Sequence, residues 1–158
     1  MDQSFNAVTF RLSDGVFGLD ALKVREIVGA QVRQTLSLDG ETKSFIQSRG
    51  KTVPVLDLRQ KFGMEGFDQA GPHSFIVVHP GLEKDRLVAL QVDAAMDIIN
   101  LPSEGLKPVT GTFMGIPDHL LQAVIDGADG PIHVVNIEEA LTEGLTGESL
   151  LVLKDKAS

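Results

Sequence analysis

Along most of the chain, apolar residues alternate with polar ones over short stretches, with a period nearer two than three and a half. Val8, Phe10 and Leu12 alternate with Thr9 and Arg11, as in a strand with one buried face. Ser13-Asp14-Gly15 follows, and the chain resumes as Val16-Phe17-Gly18-Leu19. Asp-Gly favours a turn because Gly takes positive φ without a steric penalty, so residues 7–20 are predicted to form an opening hairpin. In residues 21–28, Leu22, Val24, Ile27 and Val28 stand among Lys23, Arg25 and Glu26. That pattern fits one helical turn running into a strand, and periodicity alone does not separate the two states. The polar run 38–44 surrounds a second Asp-Gly, Asp39-Gly40, and predicts an exposed turn.

Residues 52–58 read as a strand in which Pro54 cannot donate to a ladder, placing it at an edge or a bulge. Residues 59–62 suit a short helix ended by Gly63, and the Gly-rich stretch 63–72 suits a crossing between subdomains. Three further strands are predicted at 74–78, 86–93 and 96–101, the last stopped by Pro102, before a loop rich in Gly and Pro over 102–117. Residues 121–125 and 132–135 flank Asp126-Gly127-Ala128-Asp129-Gly130 as a final hairpin. The clearest helix is 136–145: Asn136 can cap it, Glu139 follows three residues later, and Ile137, Leu141 and Leu145 recur every four residues. Strand count and spacing predict an all-β chain folded as small barrels, with short helices and a C-terminal helix.

Composition narrows the function. A chain of 158 residues allows one domain or two small subdomains, and 42% hydrophobic residues supply a core. Lys and Arg number 14 against 22 Asp and Glu, a net charge of −8 that repels phosphate backbones and anionic lipid headgroups. Nucleic acid and direct membrane insertion are therefore not expected. Cys is absent, which excludes disulfides and thiolate chemistry and points to a reducing, cytoplasmic setting. No leader of basic then apolar residues opens the sequence, and no apolar run is long enough to cross a bilayer.

Candidate chemistry is sparse. There is no G-x-S-x-G turn, no phosphate loop and no dinucleotide fingerprint. His73 and His79 flank one strand and would stand about 20 Å apart, too far to share a metal. His119 precedes a strand or turn, and His133 sits in an apolar strand as a structural imidazole. Residues 126–130 lack the alternating ligands of a calcium loop and read as a turn. No catalytic residue, metal site or cofactor is predicted. Arg49-Gly50, between two apolar strands, leaves two readings open: Arg49 braces backbone carbonyls, or it offers its guanidinium to a carboxylate partner.

Four segments together carry a family resemblance: FGLDALKVREIV at 17–28, SRGKTVPVLDLRQKFG at 48–63, LVALQVDAAMDIINLP at 87–102 and IHVVNIEEAL at 132–141. In this order and spacing the chain resembles the CheW family from about residue 5 to 141. The resemblance implies two five-stranded Src-homology-3-like barrels sharing an apolar core, with subdomains at roughly 1–72 and 73–135, a helix at 136–146 and a tail at 147–158. It also implies a non-enzymatic chemotaxis adaptor in the cytoplasm. Its partners would be the cytoplasmic tip of a methyl-accepting chemoreceptor and the regulatory domain of the histidine kinase CheA, and it would be recruited to membrane receptor arrays.

The family's receptor-facing groove lies between the barrels, and its strand after the opening hairpin matches Val24 and Glu26. The N-L-R-G motif of the family matches Gln47-Ser48-Arg49-Gly50, which carries Arg49 and Gly50 over as partner-binding residues. The sequence departs from the pattern at Gln47 and Ser48, at Asp39-Gly40-Glu41-Thr42-Lys43 where an apolar, Pro-rich approach is usual, and at Ala89, Ala123 and Pro131. These departures bear on the choice of receptor, and leave open an adaptor of a pilus-type or other chemosensory system. A reading from another class is an all-β hydrolase or small-ligand binder with a site between the barrels. The apolar run 149–153 would dock on its own barrel or lend an edge strand to a partner.

Overall fold

The computed structural model describes residues 4–67, 72–79, 86–102, 105–109, 114–127 and 130–144. The fold is all-β, in two mixed sheets with two short α-helices.

The opening hairpin joins β1 (Ser4–Leu12) to β2 (Gly15–Asp20), with Phe10 opposite Phe17. Its turn is built differently from the Asp-Gly expectation: the left-handed residue is Ser13, at φ 55°, and Gly15 already belongs to β2. A single 3-10 turn over Ala21–Lys23, capped by the Asp20 carboxylate on the amide of Leu22, leads into β3 (Val24–Gln31). Both halves of the ambiguous 21–28 pattern are thus present in succession.

The polar run at 38–44 is less of a loop than its composition implied. β4 (Gln34–Leu38) and β5 (Glu41–Ser48) pair directly around Asp39-Gly40. These two residues, at φ 54° and 80°, form the tight two-residue connection that keeps paired strands twisting together. β6 (Lys51–Asp57) is an interior strand, so of the edge or bulge expected at Pro54 the edge does not form. Its residues Lys51 to Pro54 pair with β5, whereas Val55 to Asp57 pair with β8 (Val88–Val92). Pro54 sits at this hand-over between neighbours, where its missing donor interrupts little.

Asp57 ends β6 and caps α1 (Leu58–Lys61), its Oδ1 accepting from the amide of Gln60, and Gly63 at φ 85° closes the turn after the helix. The chain continues through β7 (His73–Val78) and β9 (Ala94–Pro102) to the hairpin of β10 (Leu121–Gly127) and β11 (Gly130–Val135). It then forms α2 (Ile137–Gly144), where Asn136 Oδ1 accepts from the amide of Glu139 at 3.2 Å. Residues 68–71 of the 63–72 connection, Ala128-Asp129 of the last turn, Leu145 and the tail with its apolar run lie outside the described residues.

The first sheet runs β10-β11-β2-β1-β9 and the second β3-β7-β8-β6-β5-β4. The sheets do not divide the chain at residue 72: the second takes every strand from β3 to β8, and the first combines the opening hairpin with β9 to β11. Parallel pairing makes this possible, since β11 lies beside β2 and β6 beside β8.

Each sheet packs apolar residues on both of its faces. Between the sheets, Val8, Phe10, Leu12, Phe17 and Leu19 meet Leu56, Ile76, Val78, Leu90 and Val92, and Ile137, Ala140 and Leu141 of α2 close that core. The opposite face of the second sheet encloses Ile46, Val53, Phe75, Val77 and Ala89, and that of the first encloses Ala7, Ile125 and Ile132. Strands buried on two faces read as unbroken apolar runs, which is why Val88 to Val92 is buried throughout. β1 is paired to β9 through a bulge between Val8 and Phe10. Thr9 Oγ1 there bonds both the carbonyl (2.9 Å) and the amide (3.0 Å) of Asp97, so the irregular backbone stays satisfied.

Candidate functional site

β3 is an edge strand of the second sheet, paired by its backbone to β7. Its open side is tied to β5 by side chains. Glu26 Oε2 accepts from Ser48 Oγ at 2.6 Å and lies 3.3 Å from Arg49 Nε, while Gln31 Nε2 donates to the carbonyl of Gln47 at 3.4 Å. Two of the residues carried over from the family pattern, Glu26 and Arg49, therefore meet across this seam.

Among the described residues the partner of Arg49 is a carboxylate rather than a backbone carbonyl. Its side chain is 69% exposed and holds the Glu26 carboxylate, which is 24% exposed. Arg49 and Gly50 are consecutive left-handed residues, φ 52° and 79°, between the paired residues Ser48 and Lys51. They form the same tight hairpin connection as Asp39-Gly40. Gly50 is thus needed for its backbone conformation; a Cβ there would meet open space but at a strained φ.

Val24 belongs to a different surface. It stands opposite Val78 and packs against the core between the sheets, whereas Glu26 stands opposite Val77 of the inner core of the second sheet. A register shift between Val24 and Glu26 changes the face. Ile27, opposite the core residue Ile76, returns to the inter-sheet side and is 44% exposed.

The matching feature on the other sheet was not singled out from sequence. Ile98 on the edge strand β9 stands opposite the core residue Val8, which places it on the inter-sheet face, and it is 66% exposed. Met96, on the same strand, is also exposed. β9 of the first sheet lies against β7, the strand that pairs with β3 in the second. Exposed Ile27 on β3 and Ile98 on β9 carry the apolar inter-sheet face of each sheet out to the surface. The signal for this in the sequence is two apolar residues in succession, Ile98-Ile99, where strict alternation allows one; Ile99 is the member that packs inward on the core of Ala7.

Two ion pairs brace the surroundings. Lys23, just before β3, pairs with Glu138 in the first turn of α2, and this contact holds the Glu138 carboxyl below its ordinary value. Arg59 pairs with Asp93, and its guanidinium also stacks on the ring of Phe67 at 4.5 Å. His133 is buried on β11 with its ring 6.3 Å from that of Phe17, and burial lowers its pKa. Among the described residues no group of three His, Cys, Asp or Glu side chains is placed to hold a metal ion, and no helix is long and apolar enough to cross a membrane.

A family profile described as "CheW-like domain" matches residues 6–144. The chain belongs to the CheW-like domain family. It is 29% identical over 134 residues to a chemotaxis protein CheW of Klebsiella aerogenes, a match covering 84% of this chain and 79% of that one. It is 22% identical over 143 residues to a chemotaxis protein CheW of Treponema pallidum, covering 87% and 82%. Among solved structures, the scaffolding protein TtCheW of Thermoanaerobacter tengcongensis superposes with a TM-score of 0.71 at 21% identity, over 90% of this chain and 95% of that one. The fold is therefore that of a CheW scaffolding protein, and membership places the chain among chemotaxis adaptors.

Proposed function

We propose that this chain couples the cytoplasmic tip of a chemoreceptor to the regulatory domain of the histidine kinase CheA, at membrane receptor arrays, by binding and without catalysis. The observation that carries the proposal is the pair of edge strands β3 and β9, each of which exposes a large apolar residue, Ile27 or Ile98, on the inter-sheet face of its sheet. A helix of a receptor bundle presents an apolar stripe of matching character, and helix-in-groove docking uses anchors of this kind. Glu26, Ser48 and Arg49 tie the open side of β3 to β5, so the strand that carries Ile27 is held in place before the partner arrives, which lowers the cost of ordering it. The kinase domain would take the barrel ends, leaving the receptor groove free.

The space between the sheets is filled by Phe10, Phe17, Ile76, Leu90 and their neighbours. A hydrolase or small-ligand site there would need a cleft with convergent polar groups, and the packing favours the adaptor. Ser48, where the family motif carries Leu, donates to Glu26, so the departure from the motif falls on the tie between β3 and β5 and bears on receptor choice.

The test is co-sedimentation of the purified chain with receptor-bearing membranes and CheA. Coupling predicts that the chain pellets with receptor membranes and raises the amount of CheA retained. Failure to bind either partner, alone or together, contradicts the proposal.

A further inference from the structure

Gln91 has no exposed surface although it carries a carboxamide. It stands on the central strand β8 beside Phe75 of β7, two residues from Ala89, in the inner core of the second sheet. The partner of its Oε1 is Arg33, whose Nη1 donates at 2.9 Å. Arg33 comes from the two-residue link between β3 and β4, so the contact joins that link to the middle of the barrel.

Stability alone does not account for this pair. Gln91 Nε2 and Arg33 Nε are both buried without an acceptor among the described residues. Each such donor costs free energy, and an apolar pair of similar volume is commonly as stable or more so. What the polar pair supplies is position. Along the open side of β3, Glu26 meets the buried Ser48 and Gln31 an exposed backbone carbonyl, and just beyond the strand end Arg33 reaches the fully enclosed Gln91 of the central strand. With Gln31 and Arg33 engaged on either side, Val32 between them is left 51% exposed.

We infer that Arg33 and Gln91 are positioning residues: they pin the far end of β3 and so fix the wall that carries Ile27. The pin stands on the geometry alone, and its consequence for binding rests on the proposed function. The decisive variant replaces both residues, Arg33→Leu with Gln91→Leu, because either single leucine leaves a buried polar group alone. Three measurements on the full chain are needed: melting temperature, amide hydrogen exchange over residues 27–36, and affinity for a soluble receptor-tip helix bundle.

The double variant keeps or raises the melting temperature, speeds exchange over 27–36 at least about tenfold, and weakens bundle binding about tenfold. Gln91→Glu, which gives Arg33 a carboxylate, keeps exchange slow and binding intact. Unchanged exchange in the double variant overturns the pin. Faster exchange with unchanged affinity overturns the positioning role. If the unaltered chain does not bind the bundle, the proposed function fails while the exchange measurement still decides the pin.

Discussion

Ser48 Oγ donates to Glu26 Oε2 at 2.6 Å, and this bond joins two strands that share no backbone ladder. Arg49 adds to the same carboxylate from a largely exposed position. Arg49 and the acceptor Glu26 differ in what their loss costs. Arg49→Ala removes a surface ion pair and shifts stability by less than about 1 kcal/mol. Glu26→Ala leaves the buried Ser48 hydroxyl without its acceptor and costs about 1–3 kcal/mol. Thermal melts followed by circular dichroism rank the two variants. An unfolded Arg49→Ala chain would show that Arg49 carries a structural load the seam does not explain.

Two glycines respond oppositely in kind to alanine. At Gly127 a Cβ would lie 2.8 Å from Ile132 Cδ1 and 2.9 Å from the carbonyl of Gly130, so Gly127→Ala overpacks the end of the β10–β11 hairpin and costs about 1–3 kcal/mol. At Gly50 the space is open and the cost of Gly50→Ala is confined to the left-handed backbone, about 1 kcal/mol. Chemical denaturation midpoints measure both, and a larger loss at Gly50 than at Gly127 would reverse the argument.

His133 sets a dependence on mildly acidic pH. Burial holds its pKa below the ordinary 6.5, so over the interval between the two values the unfolded chain binds a proton that the native chain does not. Stability therefore falls as pH drops below about 6.5 and levels off beneath the folded value. Melting temperatures of the unaltered chain and of His133→Phe, taken from pH 7.5 to 5, separate the two: the slope is expected to flatten in the variant. An equal slope in both assigns the effect to other groups.

Glu138 acts at lower pH. Its bond to Lys23 lowers the carboxyl below 4.5, so the contact stabilises the protein above that value and is lost as pH falls through the folded value. Glu138→Gln is expected to reduce stability slightly at neutral pH and to shrink the acid-side loss, with α2 loosening first. Hydrogen exchange of the α2 amides at pH 7 checks this, and unchanged protection would mean that Ile137, Ala140 and Leu141 hold the helix unaided.

Local chemistry in this chain was legible where one strand or turn decided it. The alternation of Val8, Phe10 and Leu12, the cap at Asn136 and the stop at Gly63 are each complete within a few residues. The pairing of β6 with β8 was not, because parallel neighbours distant in sequence leave no local mark, and Pro54 pointed only to an edge or a bulge. β4 carries Gln34, Thr35 and Ser37 and is exposed along much of its length, so its polar composition hid a strand. Likewise Val24, Glu26 and Arg49 were picked out by a family pattern, while their separation onto two faces depends on a register shift that no sequence spacing reveals.

The proposed function has a receptor helix dock on the exposed apolar residues of β3 and β9. Amide hydrogen exchange of the full chain, with and without a soluble receptor-tip bundle, tests it most directly. Binding is expected to slow exchange over residues 24–28 and 96–100, and Ile98→Lys, exposed in the free protein, should abolish both protections without lowering the melting temperature. Protection confined to other strands, or full binding by Ile98→Lys, would contradict the account.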